Sequence, residues 1–214
     1  MSKAQRPPRA QSPRPKAPTA QSPKPRACLV DIVIKLGGSL LAHPGQLEAV
    51  LAVVRDASAA SRLLIVPGGG PFADAVRRVD RDLGLSDDAA HWMAVLAMDQ
   101  YAHLITSRLT GSALVEDVAE IGFAIAAAQI PVLAPSRWMR DADPLPHTWG
   151  ITSDSIAAWV AGTIGAERLV VIKPPGASAH DVVDEYFHRV CPENVTPVII
   201  PADRMDELRV ALHK

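Results

Sequence analysis

Cysteine is almost missing from the 214-residue chain: Cys28 and Cys191 are its two thiols. Two cysteines build neither a disulfide framework nor a cysteine-based zinc site, so a reducing cytoplasm is the expected setting. Aromatic residues contribute only 4%, whereas Ala, Val, Leu and Ile are plentiful, which favours an α/β enzyme over an all-β sandwich. Long apolar runs are lacking too. The longest nearly uninterrupted one, from Ile121 to Ala128, falls far short of the roughly 20 residues of a membrane span, so no membrane partner is expected. The seven histidines include no H-x-x-x-H or H-x-H pair, and no metal site of the chain's own is expected.

Acidic side chains are absent from residues 1–27, which hold seven Lys/Arg and seven Pro. Such a segment cannot bury enough apolar surface to offset chain entropy and is expected to be disordered, with polyproline character. It carries no apolar stretch of the kind found in a secretory signal. Its charge suits either a basic arm for nucleic acid or a partner, or a solubilising extension, and the lack of interleaved aromatics favours the extension. The remainder sets 15 Lys/Arg against 23 Asp/Glu, a formal charge of −8, which argues against nucleic acid as the principal ligand. The expected organisation is a tail over 1–27 and a single domain over 28–214.

Apolar patterning in that domain alternates between strand and helix. A β-branched run over 29–36 stops at Gly37-Gly38-Ser39. Residues 44–58 carry Leu47, Val50, Leu51 and Val54 at helical spacing behind Pro44, which suits a first turn. A short strand over 63–66 ends in Pro67-Gly68-Gly69-Gly70, and an amphipathic helix over 72–83 breaks at Gly84. Ser86 reads as the N-cap of a long helix reaching residue 109, with Asp87 and Asp88 where the helix dipole favours acids. A helix over 115–129, a strand over 130–134 and a loop rich in Pro, Trp and His over 135–150 are expected next. A helix from Thr152 or Ser153 to 164 then precedes a strand over 168–173 and the loop Pro174-Pro175-Gly176. A helix over 181–189, a strand over 197–200 and a helix over 203–212 complete the pattern. Apolar strands separated by helices predict the α/β class, with a mainly parallel central sheet covered on both faces.

Ligands of such sheets gather outside the carboxyl ends of the strands. Segments 35–39, 68–70, 135–150 and 173–176 occupy those ends and hold most of the glycines and polar residues of unusual placement. In Lys35-Leu36-Gly37-Gly38-Ser39 the glycines can take positive φ and let bare N–H groups approach phosphate oxygens, with Lys35 supplying a point charge. Gly68-Gly69-Gly70 opens a helix whose N-terminus favours an anion. Neither loop has the P-loop or dinucleotide spacing, and glycine pairs after strands also serve as plain turns. Asp154 admits two readings: a first-turn carboxylate answering the helix dipole, or an anion holding phosphate-binding lysines. Lys173 ends an apolar strand, where a cation needs a partner. His91 and Gln100 are open between reaching an acceptor and serving as ordinary helix residues, whereas Trp92 and Met98 read as packing. Trp138, His147 and Trp149 either close over the active edge or anchor their loop.

Four segments in order, Val33-Ile34-Lys35-Leu36-Gly37-Gly38-Ser39, Val66-Pro67-Gly68-Gly69-Gly70, Thr152-Ser153-Asp154-Ser155 and Val171-Ile172-Lys173-Pro174-Pro175-Gly176, resemble the amino-acid kinase superfamily over essentially all of residues 29–214. The resemblance implies a three-layer α/β/α sandwich and ATP-dependent transfer of a phosphoryl group, with Mg2+ arriving on ATP. It implies catalytic roles for Lys35, Asp154 and Lys173, and phosphate or nucleotide contacts from Gly37, Gly38, Ser39, Thr152, Ser153, Pro174 and Gly176. It places Gly68, Gly69 and Gly70 on the acceptor side, joined by His147 and Trp149 of the loop above. A homo-oligomer is implied as well. Pro144-Leu145-Pro146-His147-Thr148-Trp149, the run from Ile151 to Ala158, and Val183-Asp184-Glu185-Tyr186-Phe187 are similar to the short kinases of methanofuran biosynthesis. Those enzymes convert (5-(aminomethyl)furan-3-yl)methyl phosphate to its diphosphate, which implies a small phosphorylated substrate and a place in one-carbon metabolism. Pro174-Pro175 departs from the Val-Asp of the K-V-D-G loop in uridylate kinases. The expected activity is therefore that of a small-molecule kinase. The alternatives are a non-catalytic nucleotide or oxyanion binder on the same scaffold, or a kinase for isopentenyl phosphate or a nucleoside monophosphate.

Overall fold

Short β-branched runs form six strands in the computed structural model, which describes residues 29–177 and 183–213: β1 (Ile32–Leu36), β2 (Leu63–Pro67), β3 (Ser112–Val115), β4 (Ile130–Leu133), β5 (Arg168–Lys173) and β6 (Thr196–Pro201). They make one sheet in the order β3-β4-β2-β1-β5-β6, and every pairing is parallel. Parallel neighbours need crossover connections, and helices supply them: α1 (Pro44–Ala57), α2 (Gly70–Leu83), α3 (Asp87–Arg108), α4 (Val118–Ala126), α5 (Ser136–Ala142), α6 (Ser153–Ile164) and α7 (Phe187–Val190), while α8 (Met205–Leu212) follows β6. Helices on both faces complete a three-layer sandwich.

The strand period of two divides the core. Ile32, Ile34 and Leu36 face one side with Leu47 and Val54 of α1, Tyr101 and Ile105 of α3, and Leu208 of α8. Val33, Leu64, Val66, Leu169 and Val171 face the other with Ile121 of α4 and Ile156 and Val160 of α6. By the same parity Lys35 belongs with Val33, and Lys173 with Leu169 and Val171, so both lysines fall on the α6 face. Leu36 is in register with Pro67 and with Ile172. The next residues along these three neighbouring strands are Gly37, Gly68 and Lys173.

Three expected elements change. The helix expected over 115–129 is shortened to α4, and an unexpected strand, β3, ends at Val115 before it. Asp117 caps α4 by accepting from the Glu120 amide at 2.9 Å, so the chain turns before the helix begins. The loop expected over 135–150 contains α5, whose first amide, Ser136, donates to Asp99 of α3 at 3.1 Å. That cap comes from a residue 37 positions away, and local pattern cannot announce it. The helix expected over 181–189 is reduced to the single turn of α7. Residues 181 and 182 lie outside the described residues, as do Cys28 and the tail expected to be disordered. No helix among the described residues is long and apolar enough to cross a membrane.

Candidate active site

Register and parity bring three charged side chains from distant parts of the chain together. Lys35 leaves β1, Lys173 ends β5, and Asp154 stands in the first turn of α6, whose N-cap is Thr152. Asp154 Oδ1 lies 2.9 Å from Lys35 Nζ, and Lys173 Nζ donates to Asp154 Oδ2 at 2.8 Å. The carboxylate and Lys35 are both buried, at 4% and 6% exposure. Burial by itself raises the Asp154 carboxyl, yet the two ammonium groups outweigh it and hold the group below the ordinary carboxylate range. Burial pushes the Lys35 ammonium down, with Asp154 opposing and Lys173 adding to the shift. Oδ1 makes its ion pair without hydrogen-bond alignment. Two cations around one anion leave a local excess of one positive charge at the strand ends, a setting that attracts an anion.

The glycine loops stand over this cluster, and their geometry corrects one expectation. Among the expected cradle residues Gly37, Gly38, Gly68, Gly69 and Gly70, only Gly70 takes a positive φ, at 52°. What the others supply is close approach. A Cβ on Gly38 would sit 2.1 Å from the Gly70 nitrogen, one on Gly68 2.7 Å from the Gly38 nitrogen, and one on Gly37 2.7 Å from the Ile172 carbonyl oxygen. The two loops therefore touch backbone to backbone. Behind Gly69 the helix α2 begins with no side chain capping its first amides. An open helix start and bare loop nitrogens fit an anionic oxygen cluster such as phosphate.

A cavity of about 570 Å³ opens beside the loops. Gly38, Ser39, Gly69, Gly70, Thr152, Ser153, Pro174 and Trp149 line it, as does His91. Gly37, Gly68 and the charged triad are not part of that lining. Gly176 is not part of the lining; it turns at φ 73° and its amide donates to Asp203 Oδ2 at 3.2 Å. His147, expected on the acceptor side, is displaced as well. Its ring nitrogens lie 2.6 Å from Asp88 Oδ1 and 2.9 Å from Asp143 Oδ1, so it clasps its loop to α3 and to the end of α5. Trp149 Nε1 donates to Asp80 Oδ2 at 2.8 Å, and the Arg77 guanidinium lies 5.0 Å from its ring centre. Of the residues left open, His91 reaches the cavity and Gln100 is exposed elsewhere on α3. Trp138 packs at 4.8 Å against Trp159.

Asp184 is the residue that motif reading passed over without a role. Its Oδ2 accepts from the Thr152 amide at 2.9 Å, the Thr152 hydroxyl at 2.7 Å and the Ser155 amide at 3.1 Å. Its Oδ1 accepts from the Ser155 hydroxyl and from the Tyr186 and Phe187 amides. One carboxylate thus fixes the start of α6 on either side of Asp154. A small polar pair flanking Asp154 was visible in the sequence; its partner 29 to 32 positions on was not.

Comparisons with known proteins agree with this fold. Residues 32–173 match the model of the amino acid kinase family. The (5-(aminomethyl)furan-3-yl)methyl phosphate kinase of Methanocaldococcus jannaschii is 27% identical over 141 residues, 65% of this chain and 63% of that relative. The match thus spans somewhat less than two thirds of the relative's length. Uridylate kinase from Archaeoglobus fulgidus superposes with a TM-score of 0.62 at 15% identity, over 84% of this chain and 95% of that one. UMP kinase from Ureaplasma parvum gives 0.67 at 18% identity, over 83% and 93%. At these identities the solved structures speak for the fold.

Proposed function

The chain belongs to the amino acid kinase family, and from that premise we propose that it is an ATP-dependent kinase whose acceptor is itself a phosphate monoester. The convergence of Lys35 and Lys173 on Asp154, at 2.9 and 2.8 Å, is the observation that carries this reading. ATP, with its Mg2+, supplies the γ-phosphoryl group. An acceptor phosphate oxygen attacks the γ-phosphorus in line and the bond to the ADP oxygen breaks, so no side-chain nucleophile takes part. Phosphoryl transfer asks mainly for alignment and for neutralisation of charge on the migrating group. Lys35 meets that group beside Gly37, Gly38 and Ser39, and Lys173 serves the nucleotide side with Pro174. Asp154 holds both ammonium groups in place, and the open start of α2 at Gly69 and Gly70 receives the acceptor phosphate. The similarity to the methanococcal enzyme favours (5-(aminomethyl)furan-3-yl)methyl phosphate as acceptor and its diphosphate as product, hence a cytoplasmic place in one-carbon metabolism.

Lys35→Ala tests the mechanism: kcat should fall by about 10²–10³, the scale of one lost transition-state donor, with the fold retained and the melting temperature lowered because Asp154 loses one of its two buried partners. Full turnover by that variant removes Lys35 from the chemistry. A phosphorus NMR screen of phosphorylated acceptors, isopentenyl phosphate and nucleoside monophosphates included, names the acceptor through the new diphosphate signals. Stoichiometric ATP binding with no ADP released by any acceptor would replace the kinase by a nucleotide binder.

A further inference from the structure

The cavity has two chemically different ends. One is the glycine loops and the open start of α2. The other is the first turns of α3, where Asp87, Ala90, His91 and Ala94 line the wall with Asp74 and Arg77 of α2 opposite. Arg77 is committed at 2.7 Å to Asp74 and lies against Trp149. His91 is 9% exposed, yet among the described residues no protein group hydrogen-bonds its ring. A polar ring buried to that extent, facing a cavity and lacking a protein partner, is poised for an occupant.

The setting behind His91 determines what it offers. His147 stacks on it, with ring centres 4.1 Å apart and planes 14° from parallel. A neutral imidazole carries one N–H, whereas both nitrogens of His147 lie within hydrogen-bond distance of carboxylate oxygens, at 2.6 and 2.9 Å. Two carboxylates accept and neither donates, so His147 fits its site as the imidazolium. A second cation cannot stack face to face on it without repulsion. His91 is therefore neutral, with one nitrogen that accepts a hydrogen bond. Trp92 meets both rings edge-on, at 4.9 and 5.2 Å, and Arg140 covers the Trp92 ring. Asp88, Asp143 and His147 together carry one net negative charge, with Asp87 beside them. The surroundings of His91 are acidic, while its face is a lone pair.

We propose that His91 is the specificity residue of the acceptor site, accepting a hydrogen bond from a protonated amine at the end of the acceptor remote from its phosphate. The inference rests on the phosphate-acceptor reading above and deepens it, because it requires the acceptor to be bipolar: phosphate at the glycine loops, ammonium at α3. His147 is a positioning residue that acts through His91.

The test compares (5-(aminomethyl)furan-3-yl)methyl phosphate with the counterpart bearing methyl in place of aminomethyl. The wild-type protein should favour the amine by about 10- to 100-fold in kcat/KM, the scale of one charge-assisted hydrogen bond. His91→Leu should bring that ratio near one, and the milder His91→Gln should leave part of it. An unchanged ratio in folded His91→Leu overturns the proposal. Nitrogen-15 spectra of labelled imidazoles give a readout independent of turnover. At pH 7 His147 should show two protonated nitrogens and His91 one bare nitrogen, which shifts on adding the amine and not on adding its methyl counterpart. Equal shifts with both compounds, or a protonated His91, overturn the proposal. If neither compound is phosphorylated, the acceptor reading falls, and the spectra still decide the role of His91.

Discussion

At the scale of single residues, the site is a problem of placing charge where water is scarce. Asp154 is stable as an anion only because two ammonium groups meet it, and Lys35 tolerates burial only because Asp154 is there. Removing one partner of such a set leaves an uncompensated buried charge. Asp154→Asn should therefore lower kcat by about 10²-fold, comparable to losing a transition-state donor, and should also lower the melting temperature because the lysines then face each other. Unchanged kinetics would return Asp154 to the role of a simple first-turn acid. The two histidines oppose each other in pH. Burial and the neighbouring His147 push His91 down to about 4, so acidification from pH 6.5 towards 4 favours the unfolded chain, which takes up a proton the folded ring refuses. For His147, burial works against the proton, but hydrogen bonds to Asp88 and Asp143 prevail and raise its value. Its contribution is present below pH 6.5 and is lost as pH climbs through the raised value. Calorimetry from pH 4 to 9 should find stability falling on both sides of about pH 6.5, and His147→Gln should abolish the alkaline decline.

At the scale of elements, the contact of the two glycine loops is the fixed point of the architecture. Gly38→Ala would place a methyl 2.1 Å from the Gly70 nitrogen. Backbone must move to admit it, so denaturant unfolding should show a loss of about 3 kcal/mol or more, beyond ordinary overpacking. Gly45→Ala is the control, since nothing lies within 4 Å of its Cβ position; it should gain up to about 1 kcal/mol from helix propensity. The start of α6 depends on Asp184 in the same sense. Asp184→Asn keeps the shape but removes the charge that several amides and hydroxyls share, and about 2 kcal/mol should be lost. A loss well under 1 kcal/mol would mean that α6 is held by its apolar face alone. These elements also mark the limits of sequence reading. Pro44, Ser86 and Thr152 announce α1, α3 and α6 because their signals are local. The starts of α4 and α5 are harder to read: α5 is capped from Asp99, and β3 is four residues whose apolar content merges with that of α4.

At the scale of the molecule, composition separates a basic, proline-rich segment over 1–27 from an acidic remainder. We propose that this segment is a solubilising extension with no part in the chemistry. Deleting it should leave both turnover and melting temperature unchanged, and a change in either, measured side by side with the full chain, would assign it a role. The alternation of apolar strands with amphipathic helices specified the layered α/β fold, because a strand that is apolar on both faces has to be covered on both faces. Parity is local to each strand, whereas the sheet's packing decided that Lys35 and Lys173 share a face, by setting Val33 of β1 with Leu169 and Val171 of β5 against α6. Tertiary structure alone decided that Asp154 meets both lysines, that Asp184 pins the helix bearing it, and that His147 serves as a clasp behind His91 rather than as a pocket wall. Each of these depends on strand order and register, which bring residues tens of positions apart within about 3 Å, a distance at which hydrogen bonds and ion pairs form and which no local pattern of residues encodes.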